Sequence, residues 1–201
     1  MLITAGVDGC FLFQLDIEYR HHPKQNIVLD PTGKMTQLRL SIVEKLPDCP
    51  AWNKGLKYYE DSKTLILWST QELSIYTIPQ NIVTGVGGDG IVHERNTKDE
   101  FTFDIWFHFK NLMPPDDVCL DVLFNRKLLT FVMGSQQGTL TVWKCGTENN
   151  CVHTFDPVGK PITSLQSHPR EPLYFISASL DSVIRVYDLT KYLHIYSFEI
   201  D

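Results

Sequence analysis

The chain lacks any run approaching the roughly 18 apolar residues that a membrane-spanning helix needs. It also lacks a basic stretch: Lys and Arg never occur more than two in a row, and the net charge is -6. A surface built to hold a phosphate backbone is therefore excluded as the main task, because that task needs concentrated positive charge. Neither a basic n-region nor an apolar h-region stands in Met1 to Gly9, so a secretory signal peptide is not expected. The five cysteines, Cys10, Cys49, Cys119, Cys145 and Cys151, are odd in number and irregularly spaced. The expectation is reduced thiols in an intracellular, cytoplasmic protein. No Gly-x-Ser-x-Gly elbow occurs, and no Ser or Cys can be paired with a His from the pattern alone.

What the chain does have is apolar material in short pieces. Hydrophobic residues make up 43% and charged residues 21%, enough for a core. The most informative piece is "FISASLDSVIRVYDL", residues 175–189. Two strand-length runs flank Leu180, Asp181 and Ser182, which is the length of a hairpin turn. β-Branched residues and the absence of a 3.6-residue apolar stripe argue against a helix. The same shape recurs at Leu2 to Asp16, Leu65 to Thr77 and Leu128 to Lys144. Each copy is an apolar run, a polar turn, and an alternating run that ends in a bulky residue followed by a polar one. Those endings are Leu15–Asp16, Tyr76–Thr77, Trp143–Lys144 and Tyr187–Asp188.

Further strands are expected at Val118 to Phe124, Cys151 to Pro157, Pro161 to Pro169 and Tyr192 to Ile200. Phe101 to Phe109 is the cleanest alternator, with Phe101, Phe103, Ile105, Phe107 and Phe109 on one face, and is expected to end the second unit. Each late unit thus reads as four antiparallel strands, a to d. Two stretches exceed ordinary loop length and read as insertions in a single domain covering 1–201. One lies near 18–57 and includes a candidate strand at "MTQLRLSIV"; the other lies near 83–100 and is rich in glycine and charge.

Four-stranded units of roughly 40 to 45 residues whose third strand ends in Trp–Asp resemble the WD40 family of β-propellers. "SASLDSVIRVYD" fits the family's turn and third strand, with Tyr187 in the Trp position and Asp188 in the Asp position. "TAGVDGCFLFQLD" fits at Asp8 and Gly9, and "MGSQQGTLTVWK" keeps Gly138 and Trp143 but has Gln137 where the turn aspartate would stand. In this family the turn aspartate braces the b–c turn together with a Ser/Thr of strand b, a His from a Gly–His pair and the Trp of strand c. The matching positions here are Thr4 with Asp8 and Ser177 with Asp181; the Gly–His pair has no counterpart. The resemblance implies an all-β fold of WD40-like blades and no cofactor. It implies partners that are other proteins or peptides, not nucleic acid or membrane. Family habit extends the localisation expectation to a cytoskeletal or ciliary assembly.

Other chemistry is weaker. "GVGGDG", Gly85 to Gly90, lacks the Gly–Lys–Ser/Thr ending and the following helix of a phosphate loop, so a flexible insertion is favoured. Cys145, Cys151 and His153 do not form the two close ligand pairs of a structural zinc site, and no metal is expected. His21 and His22 read as a polar loop, and "PPDD", Pro114 to Asp117, as a turn entering a strand. The favoured function is a non-catalytic interaction module or scaffold. The competing class is a propeller enzyme or small-ligand binder that uses loop residues. About three to four blades are expected. A closed ring of this family has about seven blades and roughly 300 residues. The expectation is therefore an incomplete ring that self-associates or is completed by further chain.

Overall fold

The computed structural model describes residues 2–6, 9–20, 35–46, 49–50, 52–77, 104–146 and 150–200. Among them the regular elements are all β-strands, arranged in four antiparallel sheets that follow chain order. The first sheet is β1 (Leu2–Gly6), β2 (Gly9–Arg20) and β3 (Met35–Lys45). The second is β4 (Gly55–Tyr59), β5 (Thr64–Trp68), β6 (Leu73–Thr77) and β7 (Asp104–Phe109). The third is β8 (Cys119–Asn125), β9 (Thr130–Ser135), β10 (Leu140–Lys144) and β11 (Asn150–Thr154). The fourth is β12 (Ile162–Ser167), β13 (Tyr174–Ser179), β14 (Val183–Asp188) and β15 (Leu193–Glu199). Each is a simple meander, and successive sheets stack face to face like propeller blades without closing a ring.

Three apolar seams hold the stack. Cys10, Leu46, Leu65, Leu67 and Tyr76 fill the first. The second includes Ile66, Trp68, Leu73, Ile75, Phe109, Val122, Phe124, Phe131 and Met133. The third includes Leu123, Val132, Leu140, Val142, Ile162, Leu165, Phe175 and Tyr187. Strand β5 sends Leu65 and Leu67 into the first seam and Ile66 and Trp68 into the second. Strand β9 likewise sends Phe131 and Met133 one way and Val132 the other. Burial on both faces explains why "LILW" and "FVM" are continuous apolar runs. In β13 burial alternates instead, because only one face of the fourth sheet is covered.

An irregularity recurs in all four sheets. The pairing of the last two strands slips at Leu12/Phe13, Ile75/Tyr76, Val142/Trp143 and Val186/Tyr187. A bulge of this kind bends a strand and raises its local twist, so the outer strand is re-aimed in the same way each time. In β7 the slip overrides the expected alternation. Trp106 and Phe107 both pack on the second seam, whereas Ile105 is exposed; Phe101 and Phe103 lie outside the described residues.

The stretch expected as an insertion at 18–57 holds regular structure among its described residues. It carries the end of β2, its partner β3 and the start of β4. Strand β4 was illegible because "GLKYY" is short and holds a lysine. Gly55 is required there: a Cβ would fall 2.1 Å from the Trp68 ring. The expected insertion at 83–100 lies outside the described residues.

The sheets approach most closely at their first strands, β4, β8 and β12, where one carboxylate joins three of them. Asp121 of β8 accepts from Lys57 Nζ of β4 at 2.7 and 2.8 Å and from the Leu165 backbone N–H of β12 at 2.6 Å. It also accepts from its neighbour's N–H, Val122, at 2.8 Å, and Lys57 donates to the Leu165 carbonyl at 3.0 Å. Asp121 keeps 10% of its side-chain exposure and Lys57 keeps 23%. Removing one partner strands a largely desolvated charge. We expect Lys57→Met to destabilise the fold by ~2 kcal/mol or more in urea unfolding, less than for a fully buried pair because Lys57 reaches water. A loss below ~0.5 kcal/mol would mark the pair as an ordinary surface ion pair.

Candidate functional site

The turn residues singled out from sequence fall into distinct environments. Asp181, in the β13–β14 turn, accepts from the Val183 N–H at 3.0 Å through Oδ1. Its Oδ2 accepts from Arg185 Nη2 at 2.5 Å. Arg185 thus supplies a charged side-chain donor that braces the turn. Ser177 is buried on β13 beside the Tyr187 hydroxyl. Tyr187 stacks on Phe175 with centroids 4.9 Å apart and 14° between planes. Asp188 is buried and closes the β14–β15 turn, accepting from the Thr190 N–H at 2.7 Å, the Thr190 hydroxyl at 2.6 Å and the Lys191 N–H at 3.1 Å. The Thr190 hydroxyl is the main reason its carboxyl stays below the ordinary range.

In the third sheet Trp143 stacks on Phe131 and donates to the Thr141 hydroxyl at 3.0 Å, so its indole serves its own strand rather than the turn. Gly138 has a φ of 86°, and a Cβ there would fall 2.6 Å from the Lys160 carbonyl oxygen. Where Gln137 replaces the turn aspartate, an aspartate from another segment substitutes. Buried Asp117 accepts from the Gln137 N–H at 3.1 Å and from Val118 N–H at 2.8 Å. The turn entering β8 is where "PPDD" was expected to place it, but the role of Asp117 was not foreseen; the missing turn acceptor at Gln137 was the signal that another carboxylate was needed. In the first sheet Thr4 is exposed, Gly9 opens β2 with a φ of 123°, and Asp8 lies outside the described residues.

These residues brace turns; they do not converge on one site. Two other features of the fourth sheet offer recognition surface. Because the sheets diverge away from their first strands, a cleft of about 430 Å³ opens between the third and fourth. His153, Phe155, Asp156, Arg185, Tyr192 and His194 are among its lining residues. His153 stacks on Tyr192 with centroids 5.0 Å apart, and the Nη1 of Arg185 is buried without a hydrogen-bond partner.

The second feature is the uncovered face. Ile176 pairs with Val186, which pairs with Tyr196; Ala178 pairs with Ile184, which pairs with Phe198. Directly opposed residues share a face, so six apolar side chains on three adjacent strands form one patch. Tyr196 remains 57% exposed and Phe198 51%, with their rings edge to face at 4.6 Å. Among the described residues no group of three or more His, Cys, Asp or Glu could hold a metal ion. No protein-family model and no curated protein matches the chain.

The turn geometry generates three expectations. Asp181→Ala should cost about 1 kcal/mol or more beyond Gln137→Ala, because the Gln137 side chain makes only an exposed hydrogen bond, Nε2 to the Asp116 carbonyl at 3.1 Å. In the third sheet Asp117→Ala, not Gln137→Ala, should be the equivalent loss. Equal melting shifts for Asp117→Ala and Gln137→Ala would overturn this assignment. The Arg185 hydrogen bond holds the Asp181 carboxyl below its ordinary value. Its stabilising contribution is therefore complete above the unfolded carboxylate value of about 3.9 and is lost as pH falls through the lower folded value. Asp181→Asn should flatten the fall in Tm across that acid window; an unchanged acid limb would count against the pair.

Proposed function

We propose that this chain is a non-catalytic, WD-type interaction module that binds protein partners through its fourth sheet. The observation that carries the reading is the apolar face of Ile176, Ala178, Ile184, Val186, Tyr196 and Phe198. A contiguous patch of this kind, on a frame otherwise packed by seams, is the physical signature of a docking surface. The four-stranded meanders and the bulge before Tyr76, Trp143 and Tyr187 support the WD-type kinship. The reading places the chain within a multi-protein assembly in the cytoplasm, with no cofactor. The cleft favours one second reading, a small-ligand site, because the unpaired Arg185 nitrogen and two histidines line it.

The double substitution Tyr196→Ser/Phe198→Ser separates these readings. Wild-type protein should bind an apolar-surface dye and be recovered from lysate with a reproducible set of proteins. The variant should lose both while its stability changes by less than about 1 kcal/mol. Partner recovery unaffected by the substitution, with a wild type that takes up no dye, would overturn the docking face.

A further inference from the structure

The first seam holds a feature that turn bracing and partner docking do not use. Cys10, at the start of β2, is fully buried, and Cys49, on the segment entering the second sheet, packs against the same cluster. Each of the two side chains is the largest influence on the other's acidity. The Cys10 carbonyl is held by the Leu46 N–H at 2.9 Å, three residues before Cys49. The two cysteines therefore lie together at the junction between the first and second sheets.

The surroundings of Cys49 are those of a thiolate. Asn53 Nδ2 donates to its sulfur at 3.2 Å. The same amide nitrogen donates to the Gly6 carbonyl at 3.2 Å, which fixes the orientation: a carbonyl oxygen can be met only by the NH₂ end. The Cys10 backbone N–H is a further donor to the sulfur, and the Lys45 ammonium lies close enough to favour negative charge. The Cys10 thiol is the strongest of these influences, and together they hold Cys49 below the ordinary thiol value against the opposing effect of burial. Cys10, the donor of the pair, moves the other way. Burial pushes Cys119 and Cys145 upward instead, joined at Cys119 by the Asp121 and Asp117 carboxylates. Cys49 is partly open to solvent.

We propose that Cys10 and Cys49 form a two-thiol oxidation site, in which a hydroperoxide oxidises Cys49 and Cys10 closes a disulfide across the first seam. The Cys49 thiolate attacks one peroxide oxygen. The O–O bond breaks, the hydroxide that leaves takes a proton from solvent, and Cys49 becomes a sulfenic acid. The Cys10 sulfur then attacks the Cys49 sulfur. The S–O bond breaks, the Cys10 proton leaves with the departing hydroxide as water, and the S–S bond forms. Two thiols and one hydrogen peroxide give one disulfide and two waters. Asn53 and Lys45 act by positioning and charge alone.

The test treats the full chain with equimolar hydrogen peroxide, alkylates the remaining thiols, and maps peptides without reduction. Expected are a mass loss of about 2 Da and a Cys10–Cys49 cross-linked peptide. Exposed Cys151 should be modified at least about tenfold more slowly. Cys10→Ser should accumulate a sulfenic acid on Cys49 that a cyclic diketone probe captures. If Cys151 oxidises first while Cys49 stays alkylatable, the proposal fails. It fails equally if wild-type Cys49 becomes sulfenic without the cross-link. Both outcomes are read on the unaltered protein and do not depend on how the variant folds.

Discussion

One largely buried carboxylate sets the spacing of most of the molecule. Asp121 meets a cation from the sheet before it and a backbone N–H from the sheet after it, and Lys57 then reaches across to the Leu165 carbonyl. Apolar seams are tolerant of small slides, since dispersion and area burial are nearly non-directional. Charge-assisted hydrogen bonds of 2.6 to 2.8 Å are not tolerant. The first strands are therefore pinned by polar geometry and the rest of each sheet by packing. This division accounts for the fan: close approach at β4, β8 and β12, and divergence toward β11 and β15, where the cleft opens.

Much of this was legible in the chain because hairpins write themselves locally. The β5–β6, β9–β10 and β13–β14 pairs each show an apolar run, a polar turn and an alternating run, and β15 and β12 followed from their own patterns. Strand β4 was hidden because a strand whose lysine is neutralised by a residue far along the chain looks like a loop. The braces were hidden for the same reason. Asp117, Asp121, Lys57 and Arg185 act across 20, 64, 108 or 4 residues, and only the last of these spacings is visible to a local pattern. The motif positions that sequence did identify, Asp181 and Asp188, are those whose hydrogen bonds stay within four residues.

Composition on the fourth sheet differs from function in an instructive way. Its outer face is as aliphatic and aromatic as the faces that are covered elsewhere, yet it meets solvent. A sheet that had only to cap the stack could carry Lys, Glu and Thr on that side, as half-solvated antiparallel sheets do. Glu199 and the flanking Lys191 are polar, but the central ladders through Val186 and Ile184 are not. The contrast lies in the residues themselves.

Each sheet packs chiefly on its immediate neighbours, so the fold has the form of a short one-dimensional lattice. In such a lattice free energy is approximately a sum of site terms and nearest-neighbour couplings, and the ends melt before the middle. The Lys57–Leu165 bond adds a coupling that skips a site, joining the second sheet to the fourth through the third. That term converts three sites into one cooperative block, while the first sheet is attached through its seam and the Asn53–Gly6 hydrogen bond. Amide exchange across the chain should then resolve two tiers of protection rather than a smooth gradient, with the step falling between β3 and β4.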